Sequence, residues 1–456
     1  MVSTNRERLP DPVAPLGAAY VAAALKGHGH DVALLDLQTA DDIEAAVREA
    51  CLAFRPEVAG ISIRNVDNVA FPVSVSYLPG QLETVRALKK YGPAIIVAGG
   101  SGFTLMPAEL LTALGLDLGI VGEGERAFPE LLKRISENRP VDDLPGLAFR
   151  YKGAVRVNPP VKLARLGGYP RPDRGLLDNA YYMREGGCGN LQTKRGCPFK
   201  CVYCCYPLVE GSRVRLRQPV DAADEFESAV KRHGLRHIFI VDNVFNYPPR
   251  HAKEFCRELI KRRVDAGWSC YVNPRFMDDE LAGLMAGAGC QGVEFGADSA
   301  DDGVLARLEK GFNVNHLINA SRACRDAGLG FCHGLLLGSP GETLDTMRRT
   351  LDAVEEMGPR AVVAMLGVRV LPRTRLLRIA VEEGVLKGGR VGLEPVFYFS
   401  PGLDKDGALE YLAGYAKERA NFIMPGTNLR MTEKIRRTLR AHGFMGPLWE
   451  SLRVKR

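Results

Sequence analysis

The stretch Gln192-Thr193-Lys194-Arg195-Gly196-Cys197-Pro198-Phe199-Lys200-Cys201-Val202-Tyr203-Cys204 decides how this chain is read. Its cysteines stand at C-x3-C-x2-C spacing, just after a short apolar–polar segment, Leu191 to Lys194, that reads as a strand end. Three thiolates on one tight loop can hold three irons of a [4Fe–4S] cluster, for which cysteine thiolate is the usual ligand. A cubane has four irons, so one is left without a protein ligand. An open coordination position marks a catalytic metal site rather than a structural one. Zinc is the competing reading, but it takes four nitrogen or sulfur ligands as two separated pairs, and no second C-x2-C occurs. The other eight cysteines read as small buried hydrophobes. Cys188 and Cys205 lie near the loop, and Cys188 is a candidate for function. No cysteine follows Cys332 and only Cys51 lies in the N-terminal region, so a second cluster is not expected.

Working outward, the chain after the loop repeats strand–helix units. Strands are predicted at 237–241, 268–272, 292–296, 331–337 and 361–370, with helices at 222–233, 251–263, 278–288, 316–327 and 344–356 between them. With the strand before Cys197 this makes six, a partial (βα)6 barrel with function at the carboxyl ends of the strands. The first ~135 residues alternate in the same way and predict a doubly wound parallel α/β sheet. Gly99 and Gly100 follow one of its strands and Gly122-Glu123-Gly124-Glu125 another. Glycines at strand carboxyl ends let a large ligand approach the backbone, though tight turns need them too. The expected division is an α/β domain over 1–140, a Pro/Gly-rich linker over 141–190, the barrel over 191–375, and a mainly helical C-terminal region over 376–456 with a basic tail. Gly146 to Tyr151 and Ala154 to Val157 read as a small hairpin inside the linker.

The cysteine stretch, followed by Tyr206-Pro207, closely resembles the radical S-adenosylmethionine (SAM) enzymes. The resemblance implies that the unligated iron chelates the amino and carboxylate groups of SAM, and that electron transfer cleaves the sulfonium to a 5′-deoxyadenosyl radical. It places Tyr203 near the adenine, Asp242 and Asn243 near the methionine amine, and the turn Gly338-Ser339-Pro340-Gly341-Glu342 beside the adenine. It also puts Glu294, Asp298 and Ser299, around the end of the fourth strand, among the SAM contacts, although the family more often carries Glu where Asp298 stands. Upstream, Pro15-Leu16-Gly17-Ala18-Ala19-Tyr20, Gly29-His30-Asp31-Val32 and Val121-Gly122-Glu123-Gly124-Glu125 look like the cobalamin-binding domain found ahead of many such enzymes. The Asp-x-His-x-x-Gly motif that supplies cobalt with an axial histidine is absent, and Met1 to Thr4 looks like only the end of a first strand. The loop Arg64-Asn65-Val66-Asp67-Asn68 lies on the ligand side of the sheet. Arg64 there reads either as a cation beneath the corrin or, with Asn65, as part of a loop capped by Asn and Asp. The resemblance thus implies cobalamin, SAM and one [4Fe–4S] cluster. It further implies methyl transfer to an unreactive carbon of a small-molecule, lipid or peptide substrate, with an electron donor such as flavodoxin or ferredoxin. Cyclisation, oxidation or rearrangement without methyl transfer, and a non-catalytic corrinoid sensor, are the alternatives.

Composition bounds the rest. With 456 residues, 46% apolar and 25% charged, the chain has an ordinary globular balance and room for two or three cores. No apolar run approaches the ~20 residues of a membrane helix, and Met1 to Pro15 has no signal-type run, so a cytoplasmic protein with reduced thiols is expected. The net charge is +7, of which Asn428 to Arg456 carries +6 and the remaining chain +1, so no nucleic-acid field is expected. The tail reads chiefly as a solvated helix face. His237, His251 and His333 read as surface or satisfied core residues, His333 being the best candidate to face the barrel interior and substrate. Tyr398 and Phe399 are candidates to line a substrate entrance.

Overall fold

The computed structural model describes residues 1–456 except 163–165, 168–169, 428, 431 and 453–456. Gly168 and Tyr169 of the expected linker and Arg453, Lys455 and Arg456 of the basic tail therefore lie outside the described residues. The N-terminal sheet contains Val2–Ser3 (β1), Leu35–Asp36 (β2), Val58–Ser62 (β3), Ile95–Gly99 (β4), Leu118–Ile120 (β5), Leu147–Tyr151 (β6) and Ala154–Val157 (β7), in the order β2-β1-β3-β4-β5-β6-β7. The first five strands are parallel, and β6 and β7 add antiparallel at the edge. Val2 and Ser3 alone form the first strand, pairing with both β2 and β3, as expected of a strand end. One expectation changes here. The 146–157 hairpin extends this sheet instead of belonging to a linker, so the domain runs past residue 140.

The second sheet begins at Gly189–Leu191 (β8). A small antiparallel pair, Lys194–Arg195 (β9) and Arg215–Leu216 (β10), flanks the cysteine loop. His237–Ile240 (β11), Gly267–Val272 (β12), Cys290–Asp298 (β13), Gly330–Leu337 (β14) and Ala361–Leu366 (β15) continue the barrel. Val368–Arg369 (β16) pairs with Phe397–Tyr398 (β17), and Phe422–Ile423 (β18) returns to the barrel beside β15. The barrel sheet thus has seven parallel strands, β18-β15-β14-β13-β12-β11-β8, one more than expected, and the extra one comes from the region read as mainly helical. Apolar side chains on alternate strand positions, among them Leu191, Ile238, Trp268, Val293 and Phe295, turn outward and pack with Phe226 and Phe255 of the surrounding helices. Helix starts follow local chemistry: Asp42, Asp278 and Thr343 cap the helices Ile43–Phe54, Asp279–Gly287 and Leu344–Glu356.

The C-terminal segment closes the amino-terminal end of the barrel. Trp449 clusters with Cys332, Ala361 and Ile423, and a Cβ on Gly292 would lie 2.6 Å from the Trp449 ring. The basic helix Glu433–Ala441 is solvated on one face only, where Lys434 and Arg437 are exposed. Arg436 and Arg440 are buried, Arg436 against Glu433 (2.8 Å) and Glu185 (3.4 Å) and Arg440 against Asp11 (2.7 Å). Their charges, two of the five described basic residues of the tail, are spent on docking. Among the described residues no helix is long and apolar enough to cross a membrane.

Candidate functional site

The cysteine loop sits at the carboxyl end of β8 and is fixed by its backbone. Cys197 N donates to Gly211 O (2.9 Å), Val202 N to Leu308 O (3.1 Å) and Cys204 N to Cys201 O (3.0 Å). Gly196 has φ +93°, and a Cβ there would meet Arg213 O at 2.2 Å, so the approach to Cys197 requires glycine. Burial raises all three thiol pKa values, while backbone N–H groups of Phe199 and Tyr206 near Cys197 and Cys204 pull the other way. Such a pocket disfavours free thiolates and suits thiolates neutralised by metal. Among the described residues no three His, Cys, Asp or Glu side chains converge as they would on a single ion. Three free thiols spaced around a loop fit a multi-iron cluster better than a mononuclear site.

Beside them stands a group the sequence reading missed. Lys310, buried, pairs with Asp298 and donates to the Tyr203 hydroxyl (3.2 Å), which itself donates to Asp298 (2.6 Å). Lys310 is close enough to Cys197 and Cys201 to oppose the rise of both thiols. The only sequence signal was a lysine twelve residues past the end of β13. Replacing Lys310 with Met removes a cation beside the loop and leaves Asp298 with the Tyr203 hydroxyl but no counter-charge. The midpoint potential of the reconstituted cluster is therefore expected to fall by on the order of tens of millivolts. An unchanged potential in redox titration would exclude an electrostatic role for Lys310.

Several expected cofactor contacts have other tasks. Asp242 is buried and accepts from Thr193 N (2.7 Å), Lys194 N (3.2 Å) and the Thr193 hydroxyl, with Lys194 Nζ at 3.7 Å; it ties β9 to the end of β11. Asn243 donates to Glu210 (2.6 Å), which also accepts from Gly196 N (3.0 Å), so Asn243 braces the cysteine loop. Ser299 faces a helix and bonds Thr350 (3.0 Å). Glu342 folds back into its own turn, accepting from Gly338 N and from Ser339 N (3.0 Å). Gly338, Pro340 and Gly341 keep that turn at the barrel rim. Glu294 lies four residues before Asp298, deep in the barrel. His333 points outward, bonded to Ser321 (3.1 Å) and stacked on Phe295, and burial lowers it to about 3, so it stays neutral. Cys188 lies at the barrel floor near Asp11, Arg440 and Glu450, a protonated thiol pushed up to about 12. Tyr398 is buried and lines no entrance, and Phe399 meets Phe71 of the N-terminal domain edge-on (5.0 Å).

The Glu342 carboxyl is pushed up to about 8 by burial, against 4.5 ordinarily. The folded state therefore holds a proton that the unfolded chain has released between those values, and stability falls as pH rises from about 4.5 to 8. Glu342→Gln keeps the acceptor for both N–H groups and is expected to flatten this slope, measured by urea unfolding at pH 5 and pH 8. Identical slopes in both proteins would refute it.

The N-terminal domain presents its strand carboxyl ends to this loop. Gly100 has φ +102°, and a Cβ there would meet Ile63 O at 2.5 Å; Gly99 and Gly100 lead into Ser101, whose hydroxyl donates to Arg64 O (2.8 Å). The result is a bare backbone ledge with Arg64 exposed beside it, while Gln81 donates to Asn65 O (3.0 Å) to fix the loop. Gly122 N donates to Thr104 (2.9 Å) next to this ledge. Glu123 pairs with Arg215 and Arg195, and Glu125 pairs with Arg195 (2.6 Å), clamping the domain to the strands flanking the cysteines. Arg369 to Asp67 (2.9 Å) and Arg373 to Thr104 O (2.9 Å) close the far side. The glycine ledge fits a flat macrocycle such as a corrin.

A doubly wound ledge set over a parallel barrel with three thiols at its mouth defines a two-cofactor radical enzyme architecture. Comparison agrees: residues 3–132 match the B12 binding domain family and residues 191–354 the radical SAM superfamily. The chain thus carries a B12-binding domain followed by a radical SAM domain. It is similar to the tryptophan 2-C-methyltransferase of Streptomyces laurentii (29% identity, 83% of this chain and 74% of that protein). It is also similar to an anaerobic magnesium-protoporphyrin IX monomethyl ester cyclase of Rubrivivax gelatinosus (27%, 76% and 62%). Among solved structures, the radical SAM methyltransferase TsrM of Kitasatospora setae, with tryptophan and a SAM analogue bound, superposes with a TM-score of 0.87 at 27% identity, over 98% of this chain and 96% of that one.

Proposed function

We propose that this enzyme uses SAM, a [4Fe–4S] cluster and cobalamin to methylate an unreactive carbon of a small molecule. The observation that carries the reading is that the glycine ledge of the N-terminal sheet and the three-cysteine loop face one space, locked together by the Glu123, Glu125 and Asp67 ion pairs. When bound, the cluster supplies electrons and a SAM site, and the corrinoid a carrier for the methyl group. Cys197, Cys201 and Cys204 hold the cluster; Gly99, Gly100 and Gly122 leave room for the corrin; Tyr203, with Asp298 and Lys310, borders the SAM position. Arg64, exposed beside the glycine ledge, would face the corrin as a cation that offers no lone pair to cobalt. The resemblance to TsrM, a methyltransferase over its whole length, favours methyl transfer over cyclisation.

Reconstitution with iron, sulfide and cobalamin, followed by SAM labelled in its methyl group and a ferredoxin- or flavodoxin-type reductant, tests the reading. Label is expected first in the corrinoid and then in product; deoxyadenosine without methylated product would favour the cyclase-like alternative. Arg64→Ala is expected to change the absorption spectrum of bound cobalamin by admitting a lower ligand such as water. An identical spectrum and affinity would remove Arg64 from that position.

A further inference from the structure

The barrel interior contains a carboxylate that no cofactor role absorbs. Val293 and Phe295 pack outward, which turns Glu294 of β13 to the inside. There Oε1 accepts from Trp449 Nε1 (2.8 Å), and no other protein partner engages it among the described residues. Its neighbours across the sheet are Tyr271 of β12 and Cys332 of β14. Phe239 of β11 meets the Tyr271 ring edge-on at 5.0 Å.

Tyr271 keeps 45% of its surface although it stands in the middle of the barrel, and Tyr206, on the helix after the cysteine loop, keeps 51%. Their phenols are nonetheless raised, Tyr206 to about 12 by burial and Tyr271 chiefly by the charge of Glu294. Surface that is accessible yet enclosed is the lining of a cavity. Arg64 of the N-terminal domain eases the rise of both phenols, and Trp449 closes the barrel below Glu294. Glu294 lies four residues below Asp298, on the order of 13 Å along the strand. An open carboxylate in such a place is costly unless it receives a donor.

We infer that Glu294 anchors the substrate, its free oxygen accepting from the N–H of a flat aromatic metabolite that lies along Tyr271 and Phe239. The reacting carbon of such a ring then faces the cofactors at the carboxyl ends of the strands. The inference rests on the methyl-transfer reading for the direction in which the substrate faces, but its binding chemistry stands on these side chains.

Calorimetry with the reconstituted holoenzyme, using L-tryptophan, indole and 1-methylindole as probes, tests it. Indole is expected to bind at least about tenfold more tightly than 1-methylindole, the scale of one hydrogen bond to a charged group. Glu294→Leu should erase that difference. Glu294→Gln, which keeps an acceptor for Trp449, should reduce it and guards against misfolding of the leucine variant. Tyr271→Leu should weaken both indoles alike. The proposal is overturned if the N–H probes bind no better than the N-methyl analogue, or if both Glu294 variants bind as the wild type does. Methylation of the corrinoid by SAM in the wild type, followed separately by absorption, tests the underlying reading, so the two failures are distinguishable.

Discussion

Replacing Cys197, Cys201 and Cys204 together by alanine is expected to abolish the [4Fe–4S] signal and lower turnover by at least about 10³-fold, while the fold stays intact. The loop keeps its shape through main-chain bonds, Cys197 N to Gly211 O and Val202 N to Leu308 O, that alanine preserves. Buried Val202 packs on Val304 and Leu308 in every variant. Circular dichroism should therefore match the wild type while iron and sulfide content drop toward zero. Single substitutions should leave an unstable cluster and lose nearly as much activity, since groups that act as a unit are not additive. A complete cluster signal in the triple variant would sink the central assignment.

Arg369→Ala is expected to be the most damaging change away from the cofactors, at about 3–5 kcal/mol. Arg369 and Asp67 are both buried, with side-chain exposures of 5% and 0%, and the arginine approaches one carboxylate oxygen with two nitrogens, at 2.9 and 3.0 Å. Removing the cation strands a carboxylate inside the interface between the two domains, next to the Phe71–Phe399 contact. Domain docking should loosen, with faster proteolysis near residues 65–77 and weaker cobalamin retention. The pair replaced together by Met at 369 and Leu at 67 should recover most of the stability, because an apolar pair needs no charge compensation. A single variant within about 1 kcal/mol of wild type in urea unfolding would contradict this account.

The cysteine loop was legible because its chemistry is local: three ligands, the glycine before them and the aromatic among them lie within nine residues. The alternation of strands and helices was equally legible, since outward apolar positions such as Ile238, Val293 and Phe331 follow the period of their own element. Less could be read of the contacts between domains. Gly122-Glu123-Gly124-Glu125 reads as a ligand loop, and its glycine does border the ledge, but Glu123 and Glu125 are committed to Arg195 and Arg215. Asp242, Ser299 and Glu342 stand at the strand ends where a cofactor contact is expected, and each side chain turns instead to a backbone or hydroxyl group that would otherwise be buried unpaired.

By itself the sequence determined that this chain carries a cluster loop on a strand–helix barrel behind a doubly wound domain, because ligand spacing and hydrophobic period are written within single elements. Only the tertiary structure decided which charges are spent in holding the parts together and which are left for chemistry. Asp67 finds Arg369 across 302 positions, and Glu294 finds Trp449 across 155. Such partners are chosen by how domains and termini dock, and a buried charge takes its role from whatever neutralises it.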